Sequence, residues 1–154
     1  QEVTTEGGLD ILAQEQDIAR AVGRLNDAGI MTSIFIDADP QQVAAAARIG
    51  TQVCEIHTGP YASAFHERGR DVESASVQAE LKRIEQAGSA VIAAGMRFNA
   101  GHALNYFNVQ PVAALAGVRE LHIGHAIVSR AIFVGMREAV REMKRLMREV
   151  AANR

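Results

Sequence analysis

Two imidazoles, His102 and His125, stand beside glycine in the runs Asn99-Ala100-Gly101-His102 and Ile123-Gly124-His125-Ala126. Imidazole is the side chain that exchanges protons near neutrality, so both residues are candidates for acid–base work; a histidine in a loop is otherwise a solvated or capping residue. Three further runs, Thr4-Thr5-Glu6-Gly7-Gly8, Asp37-Ala38-Asp39 and His57-Thr58-Gly59, also gather hydroxyls, carboxylates or an imidazole, two of them beside glycine. Glycine lets backbone N–H groups approach an anion closely, and a helix starting just beyond adds a favourable dipole. Gly124 and His125, which enter the segment 126–133, are therefore candidates for a phosphate cradle, although glycine at such places also serves simple turns. Glu55 needs a partner if it faces inward, and Arg97 on the neighbouring strand predicts a structural ion pair. The functional alternative is a fixed negative charge that stabilises an iminium or another developing cation. His57 and His122 read as inner-face hydrogen-bonding residues and His66 as exposed. No metal site is expected: His122 and His125 are three apart on a strand, hence on opposite faces, and Cys54 points away from Glu55.

The elements that must position these groups alternate between two textures. Ile18, Val22 and Leu25 fall on one helical face within residues 14–28, with Gly29 as the stop. A strand over 31–37 follows, then Asp39 and Pro40 open a short Ala-rich helix closed by Gly50. Residues 52–57 read as a strand, and 61–74 as a polar, aperiodic stretch suited to a lid or insertion. A long helix over 77–94 carries Val77, Leu81, Ile84 and Val91; strands over 96–100 and 118–123 flank a short helix near 111–116. The last helix, about 137–152, sets Val140, Met143, Met147 and Val150 against a solvated Arg and Lys back. Strand, helix and strand in repeated order predict an α/β fold with a parallel sheet and right-handed crossovers.

Alternation within the strands chooses between two such folds. Glu55 and His57, Arg97 and Asn99, and Glu120 and His122 each share one face of their strand, opposite apolar residues. Helix-covered sheets are apolar on both faces, whereas a barrel interior lines up polar side chains near one end. A TIM barrel is therefore expected. Closure takes eight strands, and only about five are visible, counting 3–5 next to Gln1; the chain reads as one domain, 1–154, with the N-terminal strands of the barrel outside it.

Composition narrows the partners. Lys plus Arg 16 against Asp plus Glu 18 gives a net charge of −2 and leaves no basic excess for a nucleic-acid backbone. No apolar run approaches the ~20 residues of a membrane span. The single cysteine, Cys54, forms no internal disulfide, and nothing at the N-terminus reads as a signal peptide, so a cytoplasmic location is expected.

Taken in order, Thr4-Thr5-Glu6-Gly7-Gly8-Leu9-Asp10, Phe35-Ile36-Asp37, Glu55-Ile56-His57-Thr58-Gly59, Asn99-Ala100-Gly101-His102 with Leu104-Asn105-Tyr106, and Glu120-Leu121 through Ile123-Gly124-His125-Ala126-Ile127 resemble the pyridoxine 5′-phosphate synthases of deoxyxylulose-dependent vitamin B6 biosynthesis. The resemblance covers essentially the whole chain. It implies a (β/α)8 barrel, of which this chain supplies about the last five strands. It also implies condensation of 3-amino-2-oxopropyl phosphate with 1-deoxy-D-xylulose 5-phosphate to pyridoxine 5′-phosphate, phosphate and water. By motif position His102 matches the family's proton donor and Glu55 its transition-state-stabilising carboxylate. Thr4 falls where the family contacts deoxyxylulose phosphate, and Ala103, Gly124 and His125 where it binds the aminoketone phosphate. The resemblance further implies no cofactor, phosphorylated small molecules as partners, and a homo-octamer. Two departures stand out: Ala103 replaces a common glycine, and the segment 61–73 is longer than usual.

Two rival readings share part of this pattern. An epimerase or aldolase of sugar phosphates would have the glycine-bearing ends and polar interior, and a Schiff-base lysine would mark the aldolase. Lys82 and Lys144 both fall on helices instead. A non-catalytic half-barrel that binds phosphate or acts as a scaffold is the other.

Overall fold

The computed structural model describes residues 7–151. Thr4 and the strand expected over residues 3–5 lie outside the described residues. A turn of 3-10 helix, Leu12–Gln14, leads into α1 (Glu15–Asp27), followed by β1 (Ser33–Ile36), α2 (Pro40–Arg48) and β2 (Val53–His57). Then come α3 (Gly59–Glu67), α4 (Ala75–Ala93), β3 (Arg97–Gly101), α5 (Val109–Ala113), β4 (Glu120–His122), α6 (His125–Val134) and α7 (Met136–Ala151). The local signals act as expected. The Asp39 carboxylate accepts from the Gln41 N–H at 2.8 Å with Pro40 in the first turn of α2, and Gly29, Gly50 and Gly95 end their helices at φ of 74, 82 and 79°.

The four strands are parallel and lie in chain order, β1-β2-β3-β4. Right-handed crossovers between sequential neighbours place every connecting helix on the same side of the sheet, whereas a doubly wound sheet reverses direction part-way. Ile34, Ile36, Cys54, Ile56, Phe98 and Ala100 face those helices and form the core with Val43, Val77, Ile84 and Val91. The opposite face carries Phe35, Glu55, Asn99 and His122 at its C-terminal half. The polar face read from alternation is thus present on an open, sequentially ordered α/β sheet, with β1 and β4 as its edges among the described residues.

Three expectations need correction. The stretch 61–74 is not aperiodic: α3 occupies its first half, because Tyr61, Ala62 and Phe65 make a short buried stripe and Pro60 pre-sets the first turn. Glu55 and Arg97 form no ion pair. The register sets Glu55 opposite Asn99 and Arg97 opposite Val53, so the guanidinium stands at the far end of the sheet, 3.5 Å from the Met31 sulfur. On α7 the buried face is centred on Ala139 and Met143, one residue away from Val140, which is exposed.

Candidate active site

The C-terminal ends of β2, β3 and β4 meet at an open cavity of about 860 Å³. Glu55, His102, Ala103, His122, Gly124 and His125 all line it. Each arrives by a separate route. Glu55 projects from the middle of β2; His102 and Ala103 follow directly on β3; Gly124 is the N-cap of α6, and His125 its first residue. Five of the six residues singled out from the sequence are therefore brought together, and the sixth, Thr4, lies outside the described residues.

Glu55 has a partner, though a different one from that expected. His122 Nδ1 lies 2.5 Å from Glu55 Oε2, while its Nε2 stands 3.5 Å from the Asn99 amide and 3.7 Å from Glu120 Oε2. A carboxylate only accepts, so His122 Nδ1 carries the hydrogen in this bond. Gly101 makes room for the pair: a Cβ there would overlap Glu55 Oε1 and crowd His122. A Cβ at the end of β3 would therefore push the Glu55 carboxylate out of its present place beside His122.

His102 sits in a small stack of rings. Phe35 and His57 are 5.1 Å apart and His57 and His102 5.0 Å, both edge-on. His57 is anchored through Nδ1 to Asp37 Oδ1 at 2.8 Å, which leaves its buried Nε2 without a hydrogen-bond partner among the described residues. His57 and His122 thus behave as the inner-face hydrogen-bonding residues that alternation suggested, and His66 is exposed on α3. The backbone at the site is strained, with φ of 82° at His102 and 58° at Ala103, a region where a Cβ is disfavoured.

Across the cavity, α6 begins without a side-chain cap. The first N–H groups of a helix have no acceptor inside it, and here the residues that carry them, His125 and Ala126, line the same cavity as His102, which suits an anion. Nearby nucleophiles are muted. Burial pushes the Cys54 thiol up to about 12, with the Glu55 charge adding to the shift, so the sulfur stays protonated within the core. Among the described residues no three His, Cys, Asp or Glu groups are placed to hold a metal ion, and no helix is long and apolar enough to cross a membrane.

Residues 1–149 match the family described as Pyridoxal phosphate biosynthesis protein PdxJ. The chain belongs to the PdxJ family. Curated relatives named pyridoxine 5′-phosphate synthase include one from Dechloromonas aromatica (strain RCB), 71% identical over 150 residues, which cover 97% of this chain and 60% of the relative. Another from Azoarcus sp. (strain BH72) is 69% identical over 151 residues, 98% of this chain and 61% of the relative. A more distant one, from Magnetococcus marinus, is 49% identical over 148 residues, 96% of this chain and 58% of the relative. The chain thus spans about 60% of the length of the curated PdxJ relatives it matches.

Two residues of this PdxJ chain stand in the quoted motifs Phe35-Ile36-Asp37 and Leu104-Asn105-Tyr106 without a site role assigned to them. Phe35 and Asn105 line the same space. Phe35 was within reach, because it pairs in register with Glu55 and so shares its face of the sheet. Asn105 belongs to a turn held by short-range bonds, its N–H donating to Asn108 Oδ1 at 2.7 Å and its Oδ1 accepting from the Phe107 N–H at 2.9 Å, and strand alternation does not reach it.

Proposed function

We infer that this chain carries the phosphate-binding and proton-donating part of a pyridoxine 5′-phosphate synthase barrel. That enzyme joins 3-amino-2-oxopropyl phosphate to 1-deoxy-D-xylulose 5-phosphate. The observation that carries the reading is one cavity in which an uncapped helix N-terminus, an imidazole and a hydrogen-bonded carboxylate converge, in a member of the PdxJ family. An amine attacking a ketone must lose water, and later steps shed protons and phosphate, so the chemistry calls for staggered acid–base groups rather than a single nucleophile.

In this reading His102 is the general acid. Glu55, held by His122, stabilises the cationic imine as it develops. The Gly124 and His125 amides bind the aminoketone phosphate, Ala103 contacts the same substrate, and Thr4 meets the deoxyxylulose phosphate. A Schiff-base aldolase fits less well, because no lysine lines the cavity among the described residues. The remaining length of the relatives accommodates the strands that would complete a (β/α)8 barrel around the polar face of the sheet. A cytoplasmic location and a homo-octameric assembly belong to the same proposal.

The test is turnover of both phosphates by a chain of the relatives' length, with pyridoxine 5′-phosphate followed by chromatography. Replacing His102 with Asn is expected to lower kcat by at least ~100-fold, the range for a lost general acid. Undiminished turnover in that variant would remove His102 from the mechanism.

A further inference from the structure

A buried hydroxyl on a different element reaches the backbone of His102. Thr58, the N-cap of α3, is fully buried at 0% exposure, yet its side chain does not cap its own helix. Its Oγ1 lies 2.6 Å from the Gly101 carbonyl oxygen and 2.5 Å from that of His102. The Thr58 backbone N–H donates to the Gly101 carbonyl as well, at 2.8 Å. One buried hydroxyl hydrogen is therefore shared between two consecutive carbonyls at the point where β3 ends and the chain turns into the left-handed region.

That turn has a cost. His102 and Ala103 hold φ of 82 and 58°, and neither is glycine. A non-glycine residue persists there only when the surroundings over-determine it. Two neighbours do so. Thr58 fixes the carbonyls on the near side of the turn; Asn108, 1% exposed, donates to the Ala103 carbonyl at 3.3 Å and accepts from the Asn105 N–H at 2.7 Å. The Thr58 contact is the shorter, and it falls on His102 itself. Fixing the carbonyl of His102 fixes the plane of the following peptide and hence the direction in which the Cα–Cβ bond enters the cavity.

The geometry points to Thr58 as the positioning residue for His102, its hydroxyl clamping the left-handed turn that aims the imidazole into the cavity. Thr58 is not among the residues that line the cavity, so its effect falls on the chemical step and not on binding. The inference rests on the proposed synthase reading only for the activity it is read through; the clamp itself is a property of the fold.

The experiment compares Thr58→Val, Thr58→Ala and Thr58→Ser in a chain of the relatives' length, beside His102→Asn. Valine keeps the shape and loses the hydroxyl. Alanine and serine differ by the hydroxyl alone and decide the matter if the valine variant does not fold. The expected result is kcat lowered ten-fold or more in Val and Ala, KM for both phosphates within three-fold of the parent, and kcat restored by Ser. Hydrogen exchange over residues 101–105 should quicken in Val and Ala and recover in Ser. Parental kcat in Thr58→Ala beside an inactive His102→Asn overturns the clamp and leaves the synthase reading standing, as does a serine variant as slow as the alanine, or a change confined to KM. If the parent makes no pyridoxine 5′-phosphate, the synthase reading fails instead. Exchange over 101–105 then decides the clamp alone: equal rates in Ala and Ser overturn it.

Discussion

Ala103 holds a φ of 58°, so its methyl group stands in a region that favours a residue without Cβ. The left-handed conformation costs an ordinary residue about 1–2 kcal/mol, and glycine gives part of that back through a freer unfolded chain. Ala103→Gly is therefore expected to raise stability by up to about 1 kcal/mol, seen as a higher urea midpoint at unchanged slope; a lower midpoint would show that the strain is not at this residue. The sequence marked the position because the motif around it is so specific, but the sign of φ came only with the folded turn. Two buried groups, Cys54 on β2 and Tyr61 on α3, give a second prediction. Burial raises both the Cys54 thiol and the Tyr61 phenol to about 12, from ordinary values of 9.0 and 10.0. The unfolded chain releases these protons first, so the native state holds more of them between those values. Stability is unaffected by either group below about pH 9 and falls as pH rises towards 12, with a slope of up to ~1.4 kcal/mol per pH unit for each group. Urea midpoints at pH 8 and 10.5 measure the fall. Cys54→Ala should make it shallower, and an equally steep fall in that variant would remove the thiol from the account.

Helix α4 shows how an element supports a site that it never touches. Its Gly88 packs directly on the ring of Phe98, the β3 residue four positions before His102, and a Cβ at residue 88 would overlap that ring. Helix propensity alone favours alanine over glycine here by about 1 kcal/mol. Packing opposes it, because Phe98 is buried to 1% exposure between helix and sheet and has little room to retreat. Overpacking of such a contact costs about 1–3 kcal/mol, so Gly88→Ala should lower the thermal midpoint despite its better propensity, and a raised midpoint would show that the ring can give way. Elements governed by local chemistry were legible in the sequence. Asp39 with Pro40 and the glycine stops needed no knowledge of the rest of the chain. The α3 helix was missed because its buried stripe is only Tyr61, Ala62 and Phe65, too short to register a period against polar neighbours. The partner of Glu55 was missed for a different reason. Alternation gives the face on which a residue lies but not its height along the neighbouring strand, and two positions of register separate Arg97 from Asn99, which stands opposite Glu55.

At the scale of the molecule, the polar face and the sequential strand order were legible from alternation and element order, while closure was not, since four described strands leave β1 and β4 as edges. The same incompleteness appears on α6. No residue of that helix is buried, and Ile132 and Phe133 are 79 and 83% exposed. Burying a side chain of this size is worth about 1.5–3 kcal/mol, and soluble proteins rarely leave such residues together in water without a partner surface. If the proposed barrel is completed in a chain of the relatives' length, α6 gains neighbours there, within the barrel or between copies. Phe133→Asp should then cost about 2 kcal/mol or more in the longer chain, or break its assembly. In the 154-residue chain the same change should stay within about 0.5 kcal/mol, as for an exposed side chain. Urea midpoints and light scattering on both lengths make the comparison. The contrast between lengths is what matters: a small, equal effect in both would mean that α6 remains solvent-facing in the larger protein, and that its apolar surface has some purpose other than closing the fold around the His102 cavity.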